Sequence, residues 1–168
     1  LKLPALNEES LAKLNAFLPE HWSHGNPIDI LGDATGERYI KALDVCLSDD
    51  QYDGVLVLLT PQAMSDPTGI AEAIIDYTQT KEDEDGLDKP IFTAWLGDSL
   101  VNAGREKFRE AKIPTFNTPE AAVEAFSFIS TYHQNQALLM QTPAPADQRC
   151  QVTDLSLIHI SEPTRPLH

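Results

Sequence analysis

Short apolar runs that alternate with helix-like segments constrain this sequence more than any other feature. The runs "DGVLVLL" at 53–59 and "KPIFTAWLG" at 89–97 are nearly continuous, a pattern typical of parallel strands covered on both faces. Apolar residues recur at helical spacing around them, which predicts helices over 33–49, 66–79, 98–112 and 118–140. Strands that alternate with helices predict βαβ units in an open, doubly wound α/β fold with a parallel sheet.

The remaining segments complete this alternation. "LKLP" at 1–4 predicts a strand stub, "PIDIL" at 27–31 a short strand that begins at a proline, and "IPTF" at 113–116 a further short strand. A helix is predicted from Asn7, which is a plausible N-cap; Asp66 before Pro67 and Thr118 before Pro119 are stronger start signals. The acidic run "KEDEDGLD" at 81–88 predicts a solvated loop.

Composition excludes several classes of function. The formal net charge of −14 argues against nucleic acid as a partner, because nothing would compensate repulsion by the phosphate backbone. No apolar run approaches the ~20 residues of a membrane span, so no membrane partner is expected. The two cysteines, Cys46 and Cys150, form no disulfide framework, which favours a reducing, cytoplasmic location.

Histidines are the first candidates for chemistry in the stretch "HWSHGNPIDILGDATGERY" at 21–39. His21 and His24 precede the predicted strand, but a zinc site needs three or four ligands, and Cys46 lies on a helix stripe. A surface loop with two ordinary histidines is therefore favoured over a metal site. His133 lies on the last helix, where a solvated face is favoured. No catalytic residue and no metal ligand is assigned.

Two loops between a strand and a helix are better candidates, because helix N-termini attract anions through free N–H groups and the helix dipole. "LLTPQAMSDPTG" at 58–69 adds Thr60, Gln62, Ser65 and Thr68 to such a position. The competing view is that Asp66 occupies some of those donors and repels an anion. The second loop, with Gly97, Asp98 and Ser99, is of the same kind and is the weaker candidate.

The order of four motifs resembles a known family. The motifs are "LPEHWSHGNPIDILGDATGERYIKAL", "DGVLVLLTPQAMSDPTGIAEAI", "KPIFTAWLG" and "GREKFREAKIPTFNTPEAAVEAF". They resemble one domain of the ADP-forming acetate–CoA ligases, and the same domain in the ligase-like region of bacterial protein lysine acetyltransferases. That domain is flavodoxin-like and is related to the carboxyl-terminal domain of the succinyl-CoA synthetase beta subunit. The resemblance covers Leu3 to Gln141.

The resemblance implies roles for particular residues. In this family a phosphorylated histidine on another domain carries phosphate between the acyl-CoA site and the nucleotide site, and helix N-termini stabilise it. The loop that faces the phosphohistidine would comprise Thr60, Pro61, Gln62, Ala63, Met64, Ser65 and Thr68. Asn26, Pro27 and Asp29 match the family's signature strand, whereas His21 and His24 do not match the phosphorylated histidine.

It also implies a larger parent protein. The parent would use CoA or acetyl-CoA, ATP or ADP, and Mg²⁺, and its partners for this chain would be CoA-binding, phosphohistidine and ATP-grasp domains or subunits. The chain is expected to bind none of these cofactors itself and to be inactive alone, because those domains are missing, as is the family's first βα unit with its Gly-Gly-Pro-Gly loop. Residues 1–141 are predicted to form the domain and 142–154 a linker. Residues 155–168 resemble a translated sequencing adapter and are expected to be a non-native tail.

Three hypotheses stay open at this point. The first is a fragment of an ADP-forming acyl-CoA synthetase that helps position a phosphohistidine. The second is an acyl-CoA-sensing regulatory region of a protein lysine N-acetyltransferase without ligase activity, favoured by "YHQNQALLMQTPAP" at 132–145, which resembles the exit helix and linker of the fused form. The third is a flavodoxin-like domain of unrelated function.

Overall fold

Helices and parallel strands alternate along the chain in a computed structural model that describes residues 2–84 and 86–141. The helices are α1 (Glu8–Asn15), α2 (Gly36–Ser48), α3 (Pro67–Glu84), α4 (Ser99–Glu110) and α5 (Pro119–Leu139). The strands are β1 (Val55–Leu59), β2 (Ile91–Trp95) and β3 (Thr115–Phe116). The predicted α/β class is confirmed.

All three strands of the described sheet run parallel, in the order β1-β2-β3. Leu59 at the end of β1 pairs with Trp95 at the end of β2, so both strands finish at one edge, which we call the carboxyl edge. Loops that leave this edge carry the candidate site residues, as expected for an open α/β sheet. The opposite edge, where the strands begin, is the amino edge.

One face of the sheet is covered by α2, α3 and α4. Val57 and Leu59 point into a cluster that includes Leu43 of α2 and Ile74 of α3. On the same face, the fully buried Trp95 packs against Phe108 of α4 with ring centroids 4.7 Å apart. Edge-to-face aromatic packing of this kind adds to the area that each ring buries.

The other face is only partly covered. Phe126 of α5 packs edge-on against Phe92 of β2 at 5.7 Å, yet Leu58 of β1 remains 43% exposed. The prediction that β1 is covered on both faces is therefore wrong at Leu58, because no described element lies over that part of the sheet. A continuous apolar run shows that a strand can be buried, but not which neighbour buries it.

The predicted strand over 27–31 does not form. Its backbone groups bond to side chains instead of to a neighbouring strand: the Asp29 amide donates to Ser23 Oγ at 2.9 Å, and the Leu31 amide donates to Asp29 Oδ1 at 2.9 Å. Such local bonds compete with sheet pairing. The segment remains anchored because Ile30 is buried in a second apolar cluster with Leu14 and Trp22.

Helix starts follow the predicted caps. The Ser10 amide donates to Asn7 Oδ1 at 2.7 Å, the Gly69 amide to Asp66 Oδ1 at 3.0 Å, and the Ala121 amide to Thr118 Oγ1 at 3.3 Å. These bonds satisfy amides that a helix leaves unpaired in its first turn. The three predicted N-caps, Asn7, Asp66 and Thr118, are confirmed.

Two further predictions are wrong. Residues 81–84 of the acidic run continue α3 rather than forming a loop, since glutamate and lysine favour helices and Lys81 pairs with Asp44 at 3.4 Å. Residues 2–4 form no strand; the Pro4 carbonyl accepts a bond from the Asn26 side chain at 2.9 Å instead. Sheet pairing requires a neighbouring strand, and this carbonyl has a side-chain partner.

The chain divides into two compact units after Ile129, and of the second only the end of α5 and the residues to Gln141 are described. The predicted linker, 142–154, and the predicted tail, 155–168, lie outside the described residues. No helix in the described ranges is long and apolar enough to cross a membrane.

Candidate functional site at the carboxyl edge

Three loops meet at the carboxyl edge, and two glycines allow them to approach closely. A Cβ added at Gly32, in the loop before α2, would collide with the side-chain amide of Gln62. A Cβ added at Gly97, in the loop after β2, would lie 3.3 Å from Cγ of Pro61. Gly97 also has a φ of 126°, a backbone angle that residues with a side chain rarely adopt. The Pro61–Gln62 segment thus lies between two glycines, and the backbone conformation requires glycine at 97.

The first candidate loop, Thr60 to Thr68, is braced internally. The Gln62 amide donates to Ser65 Oγ at 2.8 Å, and the Ser65 amide donates to the Gln62 carbonyl at 3.0 Å. The tip residues Ala63 and Met64 are exposed, Met64 by 79%. The Thr60 and Thr68 hydroxyl groups have no hydrogen-bond partner among the described residues, so they are available to a ligand.

The N-terminus of α3 has few free donors left. Pro67 has no N–H, the Gly69 amide bonds to the Asp66 carboxylate, and the Ile70 amide bonds to the Asp66 carbonyl at 3.0 Å. Within the described residues only the Thr68 amide of the first turn is unpaired. Asp66 therefore competes with an incoming anion both by occupying a donor and by its negative charge.

The N-terminus of α4, at the second candidate loop, is more open. Asp98 occupies the N-cap position but makes no side-chain cap bond. The Val101 amide donates to the Asp98 carbonyl at 3.1 Å, whereas the Ser99 and Leu100 amides have no partner in the described part of the chain. Sequence reasoning favoured the first loop, but the number of free amides favours the second.

Sequence reasoning missed Arg105 of α4, which is only 7% exposed. Its Nε donates to the Trp95 carbonyl at 3.0 Å, and its Nη2 donates to the Gly97 carbonyl at 2.9 Å. The available signal was its position: Arg105 follows Val101 by four residues and precedes Phe108 by three, so it lies on the buried stripe of α4.

The signature residues Asn26, Pro27 and Asp29 lie in the segment before α2. The Asn26–Pro27 peptide bond is cis, and Asp29 accepts from the Leu31 amide. Burial raises the pKa of Tyr39 to about 12, and the Asp29 carboxylate contributes to that rise. The Tyr39 hydroxyl donates to the Leu58 carbonyl at 3.3 Å. Asp29 therefore organises the segment before α2 through its bond to the Leu31 amide.

The two histidines of the stretch 21–39 lie in a surface loop. His21 is exposed. Both ring nitrogens of His24 are engaged, with Asn15 Oδ1 at 3.1 Å and with the Glu20 carbonyl at 2.9 Å. The described residues contain no group of three His, Cys, Asp or Glu residues that could hold a metal ion. Cys46 is half-buried, and burial raises its pKa to about 11.

Comparison with known sequences gives a consistent picture. The Ligase-CoA domain family matches residues 1–138. The ADP-forming acetate–CoA ligase I of Archaeoglobus fulgidus is 33% identical over 135 residues, which make up 80% of this chain and 18% of that protein. The alpha subunit of ADP-forming acetate–CoA ligase II of Pyrococcus furiosus is 31% identical over 133 residues, 77% of this chain and 28% of the subunit.

Solved structures agree. The dinucleotide forming acetyl-coenzyme A synthetase 1 of Ca. Korarchaeum cryptofilum, in its apo form, superposes with a TM-score of 0.73 at 27% identity, over 83% of this chain and 30% of that one. The same enzyme in complex with phosphate and ADP superposes with a TM-score of 0.73 at 26% identity. The chain therefore corresponds to less than a third of each of these proteins.

Proposed function

The chain belongs to the Ligase-CoA domain family, and we propose that in its parent protein the carboxyl edge helps to hold a phosphohistidine supplied by another domain. The parent would be an ADP-forming acyl-CoA synthetase, which interconverts acetyl-CoA, ADP and phosphate with acetate, CoA and ATP. In this proposal the chain contributes no nucleophile and no proton donor. It supplies hydrogen-bond donors and a favourable electrostatic environment for a transferable phosphoryl group.

The single observation that carries the proposal is the convergence of the loops after β1 and β2. Both lead directly into helices, α3 and α4, whose first turns start at the same edge of the sheet. Among the described residues, the donors without a partner there include the Thr68, Ser99 and Leu100 amides and the Thr60 and Thr68 hydroxyl groups. Such donors suit the oxygen atoms of a phosphoryl group.

The cofactors in this proposal bind elsewhere in the parent. CoA or acetyl-CoA and the ADP or ATP pair, with Mg²⁺, would be held by the CoA-binding and ATP-grasp domains or subunits. Magnesium requires oxygen ligands in a near-octahedral arrangement, and the described part of this chain has no group of three His, Cys, Asp or Glu residues that could hold a metal ion. The role proposed here concerns only the phosphoryl group in transit.

A double substitution in the parent protein tests the proposal. Thr60→Ala with Gln62→Ala removes a free hydroxyl group and the side chain that contacts Gly32. We expect phosphoryl transfer, followed by rapid quench, to slow by at least about tenfold, as for the loss of a donor to developing charge. Unchanged turnover would remove the loop from the mechanism.

The histidines provide the matched control. His21→Ala with His24→Ala changes two residues on a surface loop and should leave phosphoryl transfer essentially unaltered. A loss comparable with that caused by deleting the phosphohistidine itself would show that His21 or His24 takes part in the chemistry.

A second candidate rests on the segment "YHQNQALLMQTPAP" at 132–145. Its resemblance to the exit helix and linker of the fused acetyltransferases favours a regulatory region that senses acyl-CoA in a protein lysine N-acetyltransferase. The coding sequence on both sides of this chain discriminates the two. An upstream domain with a phosphorylatable histidine supports the ligase, whereas a downstream acetyltransferase domain without that histidine supports the regulatory role.

A further inference from the structure

Arg105 is a buried cation whose bonds all go to uncharged groups. Besides its contacts with the Trp95 and Gly97 carbonyls, its Nη1 donates to Asn102 Oδ1 at 3.1 Å, and its Nη2 also contacts the Trp95 carbonyl. No carboxylate is among the partners described for this guanidinium. Burying a charge without a counter-charge is costly, so Arg105 is a poor choice for stability alone.

The geometry of its bonds explains why an arginine fits. Two carbonyl oxygens, of Trp95 and Gly97, lie where the planar guanidinium can reach both from one side. A lysine ammonium is a point donor on a flexible stem and cannot reproduce such a fork. Arg105 thereby fixes the backbone from the end of β2 to Gly97, immediately before the open N-terminus of α4.

This fixed backbone is coupled to the first loop at two points. Gly97 lies against the Pro61 ring, with 3.3 Å between Pro61 Cγ and the position of an added Cβ. The Trp95 indole Nε1 donates to the Pro67 carbonyl at 3.0 Å, at the start of α3. A shift of the Gly97 backbone would therefore move Pro61, and with it the braced turn from Gln62 to Ser65.

We propose that Arg105 is a positioning residue that holds the two strand-end loops in one geometry, so that the free amides of α3 and α4 act on the same phosphoryl group. This inference rests on the function proposed above for the carboxyl edge. It assigns to Arg105 no contact with the phosphoryl group: the residue acts through the carbonyls of Trp95 and Gly97 and through Pro61.

The test compares three variants of the full 168-residue chain. Arg105→Met removes the charge and the fork, Arg105→Lys keeps the charge, and Arg109→Met is the control, because Arg109 lies on the same helix but pairs with Glu106 in an exposed position. Backbone amide spectra are recorded without ligand and during titration with inorganic phosphate, with chloride at matched ionic strength as the reference. Urea unfolding of each variant reports global stability.

We expect Arg105→Met to shift the amide signals of Gln62 and Ser65 in the absence of phosphate and to weaken phosphate binding by about tenfold, the scale of a small misplacement of a binding group. Arg105→Lys should show a smaller loss in the same direction, and Arg109→Met should match the wild type. If Arg105→Met does not fold, the comparison of Arg105→Lys with the wild type decides.

The outcomes separate this inference from the proposed function. If the wild-type chain binds phosphate but no Arg105 variant moves the Gln62 and Ser65 signals, the positioning role is refuted and the site survives. If Arg105→Lys equals the wild type in every measurement, charge alone matters, and the positioning role is again refuted. If the wild type shows no phosphate response, the proposed function loses its support, while the ligand-free shifts still decide whether Arg105 sets the loop geometry.

Discussion

The polar groups around Asp49 at the amino edge and those in the loops at the carboxyl edge are used in opposite ways. At the amino edge, the buried Asp49 carboxylate accepts from Asn7 Nδ2 at 2.8 Å and from Ser10 Oγ at 2.7 Å, and Lys89 Nζ donates to the Asp49 carbonyl at 2.7 Å. These bonds join residues about 40 positions apart in the chain. At the carboxyl edge the side-chain bonds of the first loop are local, and several donors have no partner within residues 2–84 and 86–141.

This difference separates stability from function. A buried polar group that is fully paired contributes to a unique fold, whereas a group that is left unpaired at a solvent-accessible edge is available for a ligand. The amino edge therefore predicts large effects on stability and none on phosphate binding. At the carboxyl edge, substitutions should act mainly on phosphate binding.

The largest effect is expected at Asp49. Asp49→Ala leaves the buried Ser10 hydroxyl and the Asn7 amide without their partner, and should lower the free energy of unfolding by about 3 kcal/mol. Urea denaturation measures this loss. Asp53→Ala, at an exposed position nearby, is the control and should change stability by less than about 0.5 kcal/mol. Equal effects of the two substitutions would contradict the stabilising role of the buried Asp49 carboxylate.

Asp66 should show opposite effects on stability and on binding. Asp66→Ala removes the cap of α3 and should cost about 1 kcal/mol of stability, but it frees the Gly69 amide and removes a negative charge from the site. Phosphate binding should therefore tighten by roughly two- to fivefold. The control is Asp98→Ala, since Asp98 makes no side-chain cap bond and its loss should hardly alter stability. Weaker phosphate binding by Asp66→Ala would mean that Asp66 helps to build the site.

Cys46 provides a pH test near the amino edge. Burial, with a contribution from Asp49, raises its pKa to about 11, against about 8.5 for a free thiol. The folded state therefore disfavours the thiolate. The contribution of the protonated, buried Cys46 thiol to the free energy of unfolding is fully present below about pH 8.5 and is lost as the pH rises towards about 11. In a Cys150→Ser background, disulfide exchange at Cys46 at neutral pH should be roughly a hundredfold slower in the folded chain than in urea. Equal rates would contradict this burial.

Sequence patterns predicted the elements whose signals are local. Asp66 followed by Pro67 placed the start of α3, and the apolar runs placed β1 and β2. The strand at 27–31 was wrong, because alternating apolar residues show only that one side of a segment is buried. Whether a partner strand is present depends on the rest of the chain, and Ser23 and Asp29 take the backbone donors instead.

The candidate site could likewise be predicted only where its signals are local. The loops at Thr60 and at Gly97 follow from the order of strands and helices. Their convergence depends on glycine at 97 and on Arg105, which donates to backbone carbonyls that have no sequence signature. The absence of a cap bond from Asp98 is likewise a matter of backbone geometry, since an aspartate before a helix ordinarily predicts a cap.

The most direct test of the central claim is to map the binding of inorganic phosphate on the wild-type chain by amide chemical shifts. The account predicts saturable shifts at the unpaired amides of Thr68, Ser99 and Leu100, and none around Asp49 at the amino edge. Shifts confined to other surfaces, or no response beyond that produced by chloride at the same ionic strength, would contradict a phosphoryl-binding role for the carboxyl edge.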